Sequence, residues 1–389
     1  MSALNAFRVL ELAENVAGEY CGKLLADFGA ELIKIEKPVV GSPTRYMGPF
    51  VAAGAAPERS GLFAYLNTNK RSVALDLERA DARATLEHLL AHVDVVIDDH
   101  GDSWLQALGL DAERVRSTYP QLVFCTITPF GASPPEERQY AEDLTVFHAS
   151  GWGFHTPSGA SAGRPPLNGA GRFLASYEAG LDAALCVVAA LFDRETSQLG
   201  RCIDISQQQV LASRTDYVLA QMVAGDMDVS TERSALDLFG PAGIFRCRDG
   251  YAYLWMSAPL HWDALRELLG APAWMDAFPE RWLERECTPE RVAQCRQHLA
   301  EWLVTQDKNE VAATAQARGL TLVPVNDARD LAASPQYAHR QFFAELAHPV
   351  LGRRRYPTVP YKLSATPAQL RTPAPLLGQH SGAPLGAAS

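Results

Sequence analysis

The sequence predicts an α/β protein with a large doubly wound domain and a smaller α+β domain. Apolar strands alternate with helical segments over residues 7–128, which is typical of a parallel sheet with crossover helices. Beyond a polar stretch at 225–245 the composition changes, and an Asp249-Gly250 turn between two short strands predicts a hairpin. A chain of 389 residues is long enough for two domains, each with its own core.

The first strand–helix–strand unit covers residues 7–38. The strand FRVLEL is followed by a loop, a helix at about 19–28 and the strand AELIKIEKP. We expect the two strands to be parallel with a right-handed crossover, and a ligand to bind at their carboxyl ends. Lys37 ends the second strand, where a cation could meet a phosphate. This unit contains no G-x-G-x-x-G, so it gives little support to a dinucleotide site.

The alternating pattern continues to residue 128. The polar turn NTNKR at 67–71 leads into a strand at 72–77. Its cations Lys70 and Arg71 form either a phosphate clamp or a solvated turn, and the residues alone favour the solvated turn. A helix at 80–92, the strand VDVVID, an acidic turn at 98–102, another helix and the strand LVFCTIT follow. This regular alternation predicts the doubly wound sheet.

The segment 165–206 contains a long apolar helix at 174–191, with Ser176, Tyr177 and Glu178 near its start. A helix that is apolar on every face is normally buried, so we expect a buried N-terminus. Backbone N–H groups and the positive end of the helix dipole favour an anion or a reacting carbonyl oxygen there. The polar residues either do chemistry or cap the helix. Asp204, in the following strand, has the pattern of a buried acid.

Composition limits the classes of partner. The net charge of -10 argues against nucleic acid, which is bound by basic surfaces. Seven cysteines without C-x-x-C spacing are typical of reduced core residues and predict no metal site. We find no signal peptide pattern and no uninterrupted apolar run of about 18 residues, so we expect a cytoplasmic protein without a membrane partner.

Domain boundaries follow from the shift in composition. Residues 1–224 are predicted to form the first part of the large domain, and residues 225–325 the small α+β domain with a hairpin and amphipathic helices. Residues 326–389 are predicted to return to the large domain, with a second hairpin-like pair and an extended tail rich in Pro and Gly.

Nine segments in order along the chain carry a resemblance to a known family: FRVLELAENVAG, LLADFGAELIKIEKP, GSPTR, NTNKRSVALDL, ADARATLEHLLAHVDVVID, GLDAERVRSTYPQLVFCTITPFG, the stretch at 165–206, SPQYAHRQFF and PAPLLGQHS. Each alone is weak, but the ordered set is specific. The chain resembles the family III CoA-transferases, which include carnitine CoA-transferase, formyl-CoA transferase and α-methylacyl-CoA racemase.

The resemblance implies a Rossmann-like large domain, a small middle domain and an interlocked dimer. It implies acyl-CoA as the substrate, with no covalently bound cofactor. Its carry-over to this chain places the following residues at the CoA: Val16, Ala17, Lys37, Asn69, Lys70 and Arg71. Cations suit this role because CoA phosphates need charge-assisted donors.

Three departures from the family pattern affect the chemistry. Transferases of the family carry an aspartate where this chain has Ser176, and Glu178 lies two residues on, roughly 200° around the helix. We therefore take Glu178 and Ser176 as the catalytic candidates. The racemases' G-H-D pattern corresponds here to residues 141–143, AED. An acidic turn at 98–102 replaces an N-F-R-P-G-like sequence and would repel a diphosphate unless its acids point to solvent.

Three hypotheses follow. The first is a CoA-transferase that moves CoA between an acyl-CoA and a carboxylic acid, acting as a homodimer, with Glu178 or a substrate carboxylate in the role of the family's aspartate. The second is a catalytically silent subunit of a heteromeric CoA-transferase. The third is an acyl-CoA racemase or isomerase using Glu142 with Glu178 or His148, although His148 on such a segment is more often structural. We predict the first.

Overall fold

The computed structural model describes residues 2–51, 56–134, 141–155, 171–225 and 240–382. Within these ranges, the first compact unit holds 2–155, 171–225 and 341–382, and the second holds 240–340. The chain therefore rejoins the first unit at Gln341, whereas the sequence analysis predicted the return at residue 326. Residues 326–340 contain two short helices that belong to the second unit.

The first unit contains a six-stranded parallel sheet. Its strands are β1 (Arg8–Glu11), β2 (Glu31–Glu36), β3 (Lys70–Ala74), β4 (Val95–Asp98), β5 (Val123–Thr128) and β6 (Cys202–Ser206). Their order in the sheet is β3-β2-β1-β4-β5-β6, with every neighbouring pair parallel. The chain starts at the centre, winds to one edge and then to the other, which confirms the predicted α/β class. The winding reverses between β1 and β4, the point where such sheets bind ligands.

Helices cover both faces of this sheet. The helices of the first unit are α1 (Val16–Asp27), α2 (Gly61–Leu66), α3 (Ala82–Leu90), α4 (Asp102–Ala107), α5 (Ala112–Thr118), α6 (Asp143–Ala149), α7 (Trp152–His155), α8 (Leu174–Ser197), α9 (Gln207–Ala212) and α10 (Asp216–Ala224). One core cluster joins α1 and α8 to the sheet through residues such as Val9, Ile97 and Ile127. A second joins α3, α4 and α5 to the opposite face through Leu10, Val96 and Phe124.

Helix α8 packs along α1, but only part of its surface is buried. Four apolar side chains form a stripe exposed along one face: Leu181, Leu185, Val188 and Phe192 are 42%, 67%, 40% and 81% exposed. The expectation of burial on every face was therefore wrong for this unit. The helix is long and apolar enough to cross a membrane by length and composition alone, and half of its most apolar stretch is buried in the structure.

Asp204 also differs from its predicted environment. It lies on β6, the last strand of the sheet, and its side chain is exposed. Its carboxylate accepts a hydrogen bond from the Ala132 backbone N–H at 3.0 Å. The alternating pattern made this acid look buried, but β6 has no neighbour on its outer edge among the described strands.

The second unit contains a three-stranded antiparallel sheet: β7 (Gly243–Cys247), β8 (Gly250–Trp255) and β9 (Thr321–Val325). The Asp249-Gly250 turn joins β7 to β8, as predicted. The helices of this unit are α11 (Pro259–Leu269), α12 (Trp282–Arg285), α13 (Pro289–Leu303), α14 (Lys308–Gln316), α15 (Ala328–Ala333) and α16 (Pro335–His339). An aromatic cluster of Trp262, Phe278 and Trp282 fills its core.

After Gln341 the chain forms a hairpin and then runs along the first unit. The hairpin strands are β10 (Phe343–His348) and β11 (Gly352–Pro357). The C-terminal segment bonds to the free edge of β3: the His380 N–H donates to the Ser72 carbonyl at 2.8 Å, and the Ser381 hydroxyl accepts from the Ala74 N–H at 2.9 Å.

The contact between α1 and α8 requires a glycine at position 180. A Cβ atom there would lie 2.6 Å from the Ala17 carbonyl oxygen. Replacing Gly by Ala in a helix is worth about 1 kcal/mol, whereas overpacking a core contact costs about 1–3 kcal/mol. We expect Gly180→Ala to lower the free energy of unfolding, measured by urea denaturation. Ala189→Gly, at an exposed position of α8, measures the propensity contribution separately. A stabilised Gly180→Ala would contradict this account of the packing.

Candidate active site

A cavity of about 920 Å³ lies at the carboxyl ends of β1, β4 and β5. Its wall takes Asn15 and Val16 from the start of α1, residues 99–103 from the turn after β4, and residues 127–129 and 131–134 from the end of β5 and beyond. This is the position that the sequence analysis expected for a ligand. The starts of α6 and α8 complete the wall with Asp143, Phe173 and Ser176.

Asp143 and Ser176 meet where α6 and α8 begin. The N-cap of α8, Phe173, offers no side-chain acceptor to the helix. Asp143 takes that role from another element: its Oδ1 accepts from the Ser176 backbone N–H at 2.9 Å and from the Ser176 hydroxyl at 2.8 Å. Burial raises the pKa of the Asp143 carboxyl, although the Ser176 donors act in the opposite direction. A carboxylate thus stands at the positive end of a 24-residue helix.

Glu178, the other catalytic candidate, points elsewhere. Its Oε2 lies 2.7 Å from Nε of Arg214, which also bonds Asp182 at 2.6 Å. Glu178 is not among the residues that line the cavity, as its position around the helix from Ser176 implies. Of the two candidates the structure brings only Ser176 to the cavity.

The acidic turn is neutralised from within. The Asp98 carboxylate is buried and accepts from His100 Nδ1 at 2.8 Å. The Asp99 carboxylate accepts from the backbone N–H groups of Glu14 and Asn15 at 3.0 and 2.7 Å. The sequence analysis expected these acids either to repel a diphosphate or to point to solvent. Asp98 and Asp99 do neither, because both carboxylates accept hydrogen bonds from the protein. Asp102 lines the cavity and accepts from the Ser133 hydroxyl at 2.6 Å.

His100 supplies positive charge to the cavity wall. Burial disfavours its charged form, but hydrogen bonds to Asp98 and Glu14 and the Asp99 charge raise the pKa of the imidazole to about 10. The ring also stacks on Trp104 with centroids 3.8 Å apart. Burial raises the pKa of Asp99 to about 6, against the effect of His100. The wall therefore carries an imidazolium at neutral pH.

The residues assigned to CoA separate into different environments. Val16 lines the cavity, while Ala17 is fully buried against α8 at Gly180. Lys37 lies outside the lining, is half-exposed and bonds Glu78 at 3.2 Å. Only Val16 of these three meets the cavity.

The predicted cation turn has structural partners. Lys70 is buried, and its Nζ donates to Glu11 Oε2 and to the Glu19 carbonyl oxygen, both at 2.7 Å. Arg71 pairs with Glu31 at 2.9 Å. Lys70 is neither a phosphate clamp nor part of a solvated turn, because its ammonium group is paired with Glu11 inside the core.

Asn69 connects the turn to the C-terminal segment. Its side-chain Nδ2 donates to Asp27 Oδ1 at 2.7 Å, and its side-chain Oδ1 accepts from the Thr372 backbone N–H at 3.0 Å. With φ of 63° it also occupies the left-handed region, which asparagine tolerates. None of Asn69, Lys70 and Arg71 lines the cavity.

Two residues of the cavity wall escaped the sequence analysis. Asp143 was considered only within the AED segment, and the signal available in the sequence was its position at the start of a helix that precedes α8. Thr128 ends β5, and its buried hydroxyl has no hydrogen-bond partner in the described part of the chain. No metal-binding group of three or more His, Cys, Asp or Glu side chains occurs among the residues that the structure describes.

Comparison with known sequences gives matches over nearly the whole chain. The profile described as CoA-transferase family III matches residues 4–381. Succinyl-CoA–D-citramalate CoA-transferase of Chloroflexus aurantiacus is 29% identical over 380 residues, covering 97% of this chain and 92% of that protein. Succinate–glutarate CoA-transferase of Agrobacterium fabrum is 28% identical over 386 residues, covering 97% and 93%. Succinyl-CoA:(R)-benzylsuccinate CoA-transferase subunit BbsE of Thauera aromatica is 28% identical over 388 residues, covering 96% and 92%.

Solved structures agree. A CAIB/BAIF family protein from Brucella suis superposes with a TM-score of 0.83 at 25% identity, covering 98% of this chain and 97% of that one. The fold and the sequence therefore point in the same direction.

The two predicted phosphate-binding lysines should behave differently when replaced. Lys70→Met leaves buried carboxylates with one ammonium fewer, so we expect the free energy of unfolding to fall by about 3–5 kcal/mol. Lys37→Met removes an exposed pair and should leave it nearly unchanged. Denaturant titration of both variants tests this. A Lys70→Met protein as stable as Lys37→Met would contradict the structural role of Lys70.

The raised pKa of His100 predicts a dependence of stability on pH. The folded-state pKa lies above the unfolded value, so the contribution is fully present below pH 6.5 and is lost as the pH rises towards about 10. We expect the difference in unfolding free energy between the wild type and His100→Gln to shrink over that window. A titration of the imidazole by NMR with a midpoint near its ordinary value would contradict the assignment.

Proposed function

The chain belongs to CoA-transferase family III, and we propose that it moves CoA between an acyl-CoA and a carboxylic acid. The observation that carries the proposal is the Asp143 carboxylate, bonded to Ser176 at the start of α8 in the cavity wall. A carboxylate at a helix N-terminus combines a group that can react with a thioester and backbone donors that stabilise an oxyanion.

The cavity wall offers polar contacts to a substrate. His100 is one of the lining residues, and its ring nitrogens already lie 2.8 Å from Asp98 and 3.5 Å from Glu14. The Thr128 hydroxyl, without a partner in the described ranges, offers a further polar contact. We propose that acyl-CoA binds here as a substrate, with Val16 at its edge.

The names of the relatives suggest which substrates to test first. The protein from Chloroflexus aurantiacus is named for succinyl-CoA and D-citramalate, and that from Agrobacterium fabrum for succinate and glutarate. We propose succinyl-CoA as the donor and a short dicarboxylic acid as the acceptor.

The exposed apolar stripe of α8, defined by Leu181, Leu185, Val188 and Phe192, supports an oligomer. We propose that a second chain covers it, either another copy or a sister subunit. The relative from Thauera aromatica is named as a subunit, which keeps the silent-subunit alternative in view. Activity of the purified chain alone, with its mass in solution, decides between the two assemblies.

The racemase alternative has less geometric support. Glu142 lines the cavity, but Glu178 and His148 do not. Two bases must flank the reacting carbon for racemisation. Solvent deuterium entering the α carbon of an acyl-CoA would favour it over CoA transfer.

We expect the purified protein to convert succinyl-CoA and either glutarate or D-citramalate into the new CoA thioester. Liquid chromatography with mass detection measures this product. Formation of free CoA without a new thioester would contradict the proposal, since it indicates hydrolysis.

Glu178→Gln tests the remaining candidate of the sequence analysis. We expect it to keep its activity, because Glu178 pairs with Arg214 away from the cavity, and a loss of activity would return Glu178 to the mechanism.

A further inference from the structure

We propose that two neutral imidazoles, those of His348 and His380, fasten the end of the chain to the first unit and release it when they take up a proton. The segment that they hold, residues 373–382, is the C-terminal strap. It contains His380 itself, which bonds β3, and Ala374, which bonds the imidazole of His348. Attachment of the strap would therefore depend on pH.

His380 completes the hydrogen bonding at the free edge of β3. Its backbone N–H donates to the Ser72 carbonyl oxygen at 2.8 Å, and the Ser72 N–H donates to Nδ1 of the His380 imidazole at 3.1 Å. In a regular sheet a carbonyl oxygen accepts that second bond. Because a backbone N–H can only donate, Nδ1 has to be without a proton. The contact therefore requires the neutral imidazole.

His348 uses the same nitrogen in the same way. It ends β10, it is 4% exposed, and its Nδ1 accepts from the backbone N–H groups of Val350 and Leu351 at 3.1 and 3.2 Å. The imidazole also bonds the backbone of Ala374 in the strap. Since Nδ1 is an acceptor, the ring proton belongs to Nε2. One neutral ring thus closes the β10–β11 turn and connects it to the strap.

The surroundings of His380 favour its neutral form. Burial lowers the pKa of the imidazole, and the positive charge of Arg71 on β3 lowers it further. Arg71 pairs with Glu31 at 2.9 Å, and Glu36 accepts from the Ser72 hydroxyl at 2.6 Å. A proton on Nδ1 of His380 would add a cation near an arginine and would set two N–H groups against each other at Ser72.

The balance of charges is similar at His348. Burial lowers the pKa of its imidazole, the Glu58 carboxylate raises it and the Arg45 guanidinium lowers it, with a net decrease. Arg45 forms ion pairs with both Glu36 and Glu58 and stays charged at every pH used here. A proton on Nδ1 of His348 would face two backbone N–H donors, so the protonated ring cannot keep this contact.

The bonds just before the strap limit the released segment. The Arg371 guanidinium donates to the Ala26 carbonyl oxygen at 2.9 Å, and Asn69 Oδ1 accepts from the backbone N–H groups of Arg371 and Thr372 at 2.6 and 3.0 Å. None of these bonds involves a histidine, so protonation leaves them in place. We therefore expect the release to begin after residue 372.

Three further bonds hold the strap without a histidine. They join the Pro375 carbonyl oxygen to Arg45 at 3.2 Å, the Leu377 N–H to Glu58 at 2.8 Å, and the Gly378 N–H to the Ser72 hydroxyl at 2.9 Å. These bonds persist after protonation of the imidazoles. The expected effect of acid is therefore a larger fraction of molecules with an open strap, while the rest of the first unit stays folded.

The direction of the pH effect follows from the lowered pKa values. Each imidazole contributes fully to attachment above its ordinary pKa of 6.5, and the contribution is lost as the pH falls through the lower value of the attached state. The open fraction rises by up to about tenfold for each unit by which attachment lowers a pKa. His100 has the opposite effect on stability, because its pKa is raised.

Hydrogen exchange with mass detection tests this on the full chain. Exchange is measured at about pH 8 and about pH 5 and expressed as protection factors, which remove the direct effect of pH on the exchange reaction. We expect peptides covering residues 72–74 and 373–382 to lose about tenfold in protection at the lower pH. Peptides from β1 and β4 should keep theirs. Unchanged protection of the strap, or an equal loss in β1 and β4, would overturn the inference.

Asparagine is the informative replacement for His380. Its Oδ1 has the same position on the side chain as Nδ1 of histidine and accepts hydrogen bonds at every pH. We expect His380→Asn to remove the pH dependence of the peptide with residues 72–74, and His380→Ala to leave that peptide poorly protected at both pH values. His88→Asn, at an exposed position of α3, is the matched control and should behave as the wild type. A His380→Asn protein whose strap still opens in acid would exclude His380 as the titrating group.

His348→Asn separates the two contacts of the second imidazole. The variant keeps an acceptor for the N–H groups of Val350 and Leu351 but has no Nε2 to bond Ala374. We expect the turn at 349–351 to lose its pH dependence, and the start of the strap to be less protected at both pH values. A turn that keeps the wild-type pH dependence would overturn the role of His348.

The imidazole nitrogens of the wild-type protein give a readout that does not depend on a variant being stable. Nitrogen-15 NMR distinguishes the two neutral tautomers and the imidazolium, and the asparagine variants assign the signals. We expect His348 and His380 to carry the proton on Nε2 at about pH 8 and to titrate below the ordinary histidine pKa. A proton on Nδ1 of either ring, or titration at or above the ordinary value, would overturn the inference.

Discussion

Four charged side chains buried between α1 and the sheet impose the main constraint on the first unit. Glu11, Glu19, Lys34 and Lys70 are all almost completely removed from solvent. Lys34 Nζ lies 3.0 Å from carboxylate oxygens of both Glu11 and Glu19, and Lys70 lies 2.7 Å from Glu11. Desolvation of such charges is costly unless each finds a partner, so the four must stay together. They therefore fix α1 on β1, β2 and β3, and with it the edge of the cavity formed by Val16.

A second buried ion pair, between Arg45 and Glu36, extends this arrangement to the segment around Arg45 and to the C-terminal segment. Arg45 is fully buried and contacts Glu36 through two nitrogens, at 2.7 and 2.8 Å. Burial disfavours the Glu36 carboxylate, but Arg45 holds the pKa of Glu36 at about 2. Arg45 also donates to the Pro375 carbonyl oxygen, while the Ser72 hydroxyl accepts from the Gly378 N–H at 2.9 Å. Hydrogen bonds thus connect Pro375 and Gly378 to Arg45 and Ser72.

This use of charge explains the character of the site. Lys70 and Arg45 are paired with buried carboxylates, and neither lines the cavity. His100 is charged because Asp98 and Glu14 surround it, and the turn that looked hostile to a phosphate contributes an imidazolium. The Asp143 carboxylate comes from α6 and accepts hydrogen bonds from Ser176 at the start of α8. The chemistry of the cavity therefore follows from how helix ends and buried charges are satisfied.

The sequence by itself determined the doubly wound sheet, the β7–β8 hairpin, the end of the sheet where the cavity lies and the family, because hydrophobic periodicity and ordered motifs are properties of local sequence. It did not determine which charges meet. Whether Lys70 faces a phosphate or Glu11, and whether Asp143 or Glu178 faces the cavity, depends on contacts between residues far apart in the chain. The exposed stripe of α8 and the edge position of Asp204 likewise depend on which elements pack against them. Only the tertiary structure decided these points, since a buried charge or an orphaned helix end is satisfied by whichever partner the fold brings within reach.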